Sequence, residues 1–384
     1  MKHRFIAKRF WNDVPNAFSA EKAPEFTDLI NLTYGDPDFT TSELILEPTF
    51  RDIRAGHTHY DELCGYTELR DKVCEYLKED YSIDAERKEI YITNGAGSGL
   101  FFTLESILDD GDEVIMHTPY YSPYPDQIEM SRGIPVGVDT FEADGFQLRA
   151  DLVEAAVTNR TKAIIINTPN NPTGAAFTRK TLEDIADIAA RYDLIVIYDM
   201  AYASLSFGEA FIPFSNLPGM RERTVTLGSA SKEFAMTGWR VGFNYAPDFL
   251  IERMKRVNEN DTIMASSIAQ RAYLHAIENR KVIRDEITKV FRERMEYAYG
   301  RILALKNISA LPPKATFYLF PNITATELTS DEVTERIYRE AHVAVFPGSA
   351  FGASGEGFLR IACTQDMKTL EEAFDRIAKM DIFA

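Results

Sequence analysis

AIIINTPNNPTGAAFTRKTLEDIADIAARYDLIVIYD, residues 163–199, begins and ends on short apolar runs separated by one amphipathic stretch. Runs such as 163–167 (AIIIN) and 194–199 (LIVIYD) belong to strands covered on both faces, as parallel sheets are by their crossover helices. Between them Thr178 offers an N-cap hydroxyl, and Leu182, Ile185, Ala186, Ala189 and Tyr192 recur on one helical face. The stretch is one βαβ unit, so the fold class it predicts is α/β with a mostly parallel central sheet. Outward from it, residues 89–93 (EIYIT), 113–116 (EVIM) and 224–227 (TVTL) read as further strands of the same sheet. Beyond Gly242 helical patterns dominate, and a long helix is expected from about Ile283, with Ile287, Val290, Phe291 and Ala298 on one stripe. After Leu311 short strands and helices mix again, including 316–320 (TFYLF) and 332–340, which predicts a smaller α+β domain.

The 384 residues carry 59 acidic and 42 basic side chains, a formal net charge of -17. A field of that sign repels nucleic acid and anionic lipid, so neither is an expected partner. Hydrophobic residues make up 45% and charged residues 26%, the balance of a globular protein. Three cysteines, Cys64, Cys74 and Cys363, suit a reducing compartment better than a disulfide framework. No apolar run approaches the ~20 residues of a spanning helix, and the reading is a cytoplasmic protein.

Ligands of open parallel sheets bind beyond the carboxyl ends of the strands, which directs attention to the residues after each apolar run. After EIYIT comes Asn94-Gly95-Ala96-Gly97-Ser98-Gly99, a tight turn or a helix start open to an anion. After AIIIN comes Thr168-Pro169-Asn170-Asn171-Pro172-Thr173-Gly174, a proline-stiffened turn by its composition. Asp199 and Tyr202 follow LIVIY; a carboxylate there needs water, a helix cap, a salt bridge or a cationic ligand. After TVTL, small residues surround a single lysine in Gly228-Ser229-Ala230-Ser231-Lys232, and a partly desolvated lysine can attack a carbonyl. His57 and His59 have no partners at ligand spacing, so no metal is assigned.

The segment Ser229 to Gly242 resembles the lysine signature of the class I/II aminotransferases, fold type I enzymes that use pyridoxal 5′-phosphate. The resemblance runs from Leu32-Thr33-Tyr34-Gly35-Asp36-Pro37-Asp38-Phe39 through His59-Tyr60 and Gly65 to Arg70, the Gly-rich loop, Pro119-Tyr120-Tyr121 and NNPTG. It continues through Asp199-Met200-Ala201-Tyr202 and the lysine segment to Phe346-Pro347-Gly348 and Phe358-Leu359-Arg360. It implies that Lys232 links covalently to the cofactor aldehyde and carries a proton, and that Asp199 faces the pyridine nitrogen. It also implies that Asn171 and Tyr202 donate to the phenolic oxygen and that Tyr121 stacks on the ring. Phosphate contacts fall to Ala96, Gly97, Ser229 and Arg240, with Tyr60 reaching the phosphate of a neighbouring subunit in a homodimer. Arg360, with Gly35 and Asn171, would hold the substrate carboxylate.

The implied organisation is an amino-terminal segment (1–44) joining a small domain (286–384), with the cofactor domain at 45–285. The activity implied is transfer of an amino group from an L-amino acid to a 2-oxo acid. A β-eliminating lyase on the same scaffold is the alternative. A non-catalytic cofactor-binding regulatory module is a third reading, opposed by the net charge and by the lack of a helix-turn-helix pattern. Phe5, Phe10, Trp11, Phe18 and Phe26 make the amino-terminal segment aromatic, which favours an apolar or aromatic substrate side chain if that segment closes over the site; the alternative is that these rings anchor the segment to the dimer.

Overall fold

The computed structural model describes residues 2–7, 25–208 and 211–384. Its strands in chain order are β1 (Ile30–Asn31), β2 (Ile90–Thr93), β3 (Glu113–Thr118), β4 (Ile134–Asp139), β5 (Thr161–Asn167) and β6 (Ile195–Asp199). They continue with β7 (Thr224–Ser229), β8 (Gly242–Tyr245), β9 (Tyr318–Leu319), β10 (Val343–Ala344), β11 (Phe346–Pro347) and β12 (Leu359–Ala362). Seven form one sheet in the order β2-β8-β7-β6-β5-β3-β4, in which only β8 runs against the rest. Ile164, Ile165, Ile166, Val196 and Ile197 at its centre are at most 1% exposed. Burying each such side chain contributes about 1.5–3 kcal/mol, so the apolar runs that mark the strands also hold the sheet.

The expected βαβ unit is present, with the helix at Arg179–Arg191 and Thr178 Oγ1 accepting from the Thr181 N–H at 3.2 Å. Tyr192 departs from the expected stripe. It is the C-cap residue, 44% exposed, and its hydroxyl donates to Glu154, because the helix ends one residue too early to turn it inward. Two strands of this sheet were not legible. β4 lies at the sheet edge with Pro135 and Gly137 breaking its pattern, and β8 opens where the sequence reads as turning helical. The long helix is Arg280–Leu303, three residues earlier than expected. Ile283, Ile287, Phe291 and Ala298 are buried, whereas Val290 is only half-buried.

Residues 316–320 contribute only the two-residue β9, which with β11 and β12 makes a three-stranded antiparallel sheet. The expected helix at 332–340 is an α-helix, Ser330–Arg336, followed by a π-helical turn at Ile337–Ala341. The amino-terminal segment threads into this region: β1 pairs with β10, and the Ala362 N–H donates to Leu32 O at 2.8 Å. Phe26 stacks on His342 with ring centroids 3.9 Å apart, and Phe5 is 79% exposed. Phe10, Trp11 and Phe18 lie outside the described residues.

Arg294, on the long helix, ties these parts together. Its guanidinium donates to both oxygens of Asp38, at 2.8 and 3.0 Å, and to Thr364 O at 2.9 Å. Arg294→Leu should destabilise the fold by about 2–4 kcal/mol, less than a fully buried pair because Asp38 keeps some water contact. Chemical denaturation reads this, and adding Asp38→Asn to the Leu variant should recover part of the loss.

Candidate active site

Asn167, Asp199 and Ser229 are the last residues of β5, β6 and β7, and all three line one cavity of about 270 Å³. Register explains the convergence, since Asn167 lies opposite Asp199 and Asp199 opposite Leu227 across the central strands. Asp199 is 7% exposed. Its Oδ2 accepts from the Tyr124 hydroxyl at 2.7 Å and its Oδ1 from the Ala201 N–H at 3.0 Å. Burial raises its pKa, against the lowering effect of these two hydrogen bonds. Among the described residues no Lys, Arg or His pairs with it, so its charge fits a ligand cation.

Lys232 projects into the same cavity from the short helix Ala230–Glu233 that follows β7, and its Nζ donates to Gly35 O. Shielding from water pulls its pKa down to about 8. Asp36 opposes this shift, while Arg240 and Arg360 add to it. A Cβ at Gly35 would lie 1.8 Å from the Tyr318 hydroxyl, so a larger residue there would displace the buried Tyr318 ring.

The opposite end of the cavity is built for an anion. The helix Ala96–Ile107 starts after Gly95, whose φ of 87° favours glycine, and Ala96 and Gly97 line the cavity. The Gly99 N–H is taken by Gly95 O, whereas those of Ala96 and Gly97 precede the first intrahelical bond and stay available at the positive helix end. Ser229 and Arg240 complete this end. Arg240 Nη1 donates to Thr237 O at 2.8 Å and approaches Ser231 Oγ at 3.4 Å.

Tyr121, Asn171 and Tyr202 also line the cavity. Tyr121 packs edge-on against Tyr124 with ring centroids 5.4 Å apart. Arg360, buried on β12, stands behind the wall: its Nη1 donates to Asn171 Oδ1 at 2.9 Å and its Nη2 to Thr33 O. With Oδ1 so engaged, the group Asn171 can offer a ligand is its Nδ2. Tyr60 is not brought in, being 79% exposed and outside the cavity. Sequence reasoning missed Asn167, Tyr124, Gln127, Ser231, Thr237 and Tyr318. Only their places after strand ends or beside named motifs could have marked them. Also missed was His117, buried behind the site with its pKa pushed down to about 4. Its Nε2 accepts the Asn167 N–H at 3.1 Å, which fixes β5.

The donor set fits one kind of molecule: a phosphate at the helix start and Arg240, a basic ring nitrogen at Asp199, and an aldehyde within reach of an amine of lowered pKa. A sheet of this topology with such a cavity at its strand ends defines a fold type I enzyme dependent on pyridoxal 5′-phosphate. Comparison with known proteins carries the assignment further. The family model "Aminotransferase class I and II" matches residues 27–377. An aspartate aminotransferase of Pyrococcus abyssi is 39% identical, with 92% of either chain covered. The aromatic-amino-acid aminotransferase 2 of Thermococcus litoralis is 38% identical, covering 92% of this chain and 91% of the relative. Among solved structures, the aspartate aminotransferase of Rhizobium meliloti superposes with a TM-score of 0.93 at 31% identity over 99% of both chains. The chain belongs to the class I and II aminotransferases, which supports amino transfer over β-elimination.

The lowered pKa of Lys232 has a stability consequence. Between about 8 and the ordinary 10.5 the unfolded chain holds more protons than the folded one, so stability rises with pH through that window. The cost of burying the amine is fully present below it. In cofactor-free protein, Lys232→Met should therefore gain most over the wild type near neutral pH. That advantage should shrink by about 2–3 kcal/mol towards pH 10.5, as read by denaturation of both proteins across the range.

Proposed function

We propose that this aminotransferase moves the amino group of an L-amino acid to a 2-oxo acid in two half-reactions, with Lys232 and Asp199 as the groups that act on the cofactor. The single observation supporting this is the pairing, in one cavity, of a shielded amine of lowered pKa with a buried carboxylate that no cation neutralises among the described residues. Bound pyridoxal 5′-phosphate supplies an electrophilic aldehyde and a ring that withdraws electrons from the substrate Cα. Ala96 and Gly97 N–H groups, Ser229 and Arg240 would hold its phosphate, and Tyr121 would pack against its ring. Asp199 keeps a proton on the ring nitrogen: opposite charges about 4 Å apart attract by roughly 4 kcal/mol at an effective dielectric of 20. Asn171 Nδ2 and the Tyr202 hydroxyl would donate to the cofactor's phenolic oxygen.

Lys232 Nζ, with roughly a tenth of it neutral at pH 7, serves first as nucleophile and then as the carrier of the proton that leaves the donor Cα. Arg360 grips the α-carboxylate as a fork, with the Gly35 backbone beside it. The proposed working form is a cytoplasmic homodimer, in which Tyr60 leaves its own surface to reach the partner's phosphate site. The proposed division puts the cofactor domain at 45–285 and a small domain at 286–384 together with residues 1–44. The hydrogen bonds from residues 30–32 to 342–344 and 362 favour it.

Borohydride should fix the cofactor to Lys232, and one turnover with an effective donor should yield one equivalent of 2-oxo acid. Asp199→Asn should retain cofactor and lose at least about 1,000-fold in kcat, in line with loss of a group that acts on developing charge. Repeated turnover with ammonia release and no acceptor would replace transfer by elimination.

The dimer reading has its own test. Mixing inactive Tyr60→Ala and Lys232→Ala subunits should create hybrids in which one site has both residues intact, restoring up to about a quarter of wild-type activity on random exchange. No recovery after verified exchange would place Tyr60 outside the shared site.

A further inference from the structure

Tyr318 touches both halves of the proposed chemistry, Arg360 through its ring and Tyr202 through its hydroxyl. It lies on β9, which pairs with β12 through Ala362, two residues beyond Arg360. It is 3% exposed and lines the cavity. Its ring face lies under Arg360, with the guanidinium carbon 4.5 Å from the ring centroid. Its hydroxyl shares a hydrogen bond of 3.1 Å with the hydroxyl of Tyr202, their rings being 5.8 Å apart. The same hydroxyl occupies the space that a side chain at position 35 would need, so it packs on the peptide whose carbonyl receives Lys232 Nζ.

We propose that Tyr318 is a positioning residue that joins the substrate-carboxylate site to the cofactor site. Its ring holds Arg360 in its forked orientation, and its hydroxyl aims Tyr202 at the phenolic oxygen. The inference rests on the roles proposed above for Arg360 and Tyr202. A guanidinium over an aromatic face is stabilised by the ring quadrupole, most strongly where water is excluded, as here. A phenol that shares its oxygen with a second hydroxyl has fewer orientations open to its own proton. The surroundings agree with this placement: burial raises the pKa of Tyr318, and Arg360 and the Tyr202 hydrogen bond lower it in part. The charged and titratable groups facing Tyr202 include Tyr318, Tyr121, Tyr124 and Arg360, and those facing Lys232 are Asp36, Arg240 and Arg360.

The two contacts separate by substitution. Tyr318→Phe keeps the ring and removes the hydroxyl, and Tyr318→Leu removes both. In the cofactor-loaded enzyme, the pH midpoint of the Lys232-bound cofactor's absorbance reports on donation to the phenolic oxygen. Binding of 3-phenylpropionate, a carboxylate with no amine to react, reports on Arg360. In the Phe variant the midpoint should rise by about half a unit, because weaker donation leaves more negative charge beside the Lys232 nitrogen, which then keeps its proton to higher pH. Its 3-phenylpropionate Kd should stay within about twofold of wild type. In the Leu variant the midpoint should rise equally, and the Kd should weaken about five- to thirty-fold, the range of a desolvated cation–π contact.

An unmoved midpoint in the Phe variant overturns the proposal, and so does unweakened binding in the Leu variant. The Phe change removes one atom, so the test survives if the Leu variant does not fold. Arg360→Lys and Tyr202→Phe are the controls. If these leave the Kd and the midpoint unchanged, the underlying roles fail, and the proposal with them, in a way distinct from failure at Tyr318 alone.

Discussion

Asp199 ends a strand buried on both faces, where little water reaches a carboxylate and, among the described residues, a phenol and one N–H stabilise it. Several other features follow from that constraint. A charge so placed is costly until a cation arrives, so the cavity around it must admit one and hold it in a single orientation. Orientation comes from the far end, where the Ala96–Ile107 helix start, Ser229 and Arg240 provide for a phosphate. Lys232 lies between the two ends, and the shielding that makes Asp199 expensive also makes the amine reactive.

The supporting structure acts on these few atoms by fixing backbone. The register of β5, β6 and β7 sets Asn167 beside Asp199, His117 anchors the Asn167 N–H, and Asn167 Oδ1 accepts the Asn171 N–H at 2.9 Å. Asn171 then passes to Arg360 on the other sheet. A chain of short polar contacts thus connects the cofactor end of the parallel sheet with β12. Buried polar groups of this kind specify one arrangement, since every alternative leaves a donor or acceptor unmet.

Contributions from remote parts of the chain meet at Gly35. Its carbonyl receives Lys232, its missing side chain makes room for Tyr318, and the segment after it is pinned by Arg294 through Asp38. Residues from the amino-terminal segment, the lysine turn and the carboxyl-terminal sheet therefore share one corner of the cavity. A displacement of any of them is felt by the others because close-packed interiors transmit strain.

The sequence by itself determined five of the seven strands of the large sheet, the crossover helix, the family and ten residues that line the cavity. Strand burial leaves an apolar run, and chemistry at strand ends leaves unusual polar residues beside it. Tyr192 misled because a periodic stripe does not say where a helix stops, and β4 and β8 were hidden because proline, glycine and antiparallel placement blur the pattern. Tertiary structure alone decided which partners the polar groups at the cavity meet. Tyr124 on Asp199, His117 under Asn167, and Tyr318 between Tyr202 and Arg360 are contacts between residues 42 to 116 positions apart. Local sequence records propensity and burial, but which aromatic or imidazole group meets a given polar atom depends on strand order and register, and these exist only once the sheets have assembled.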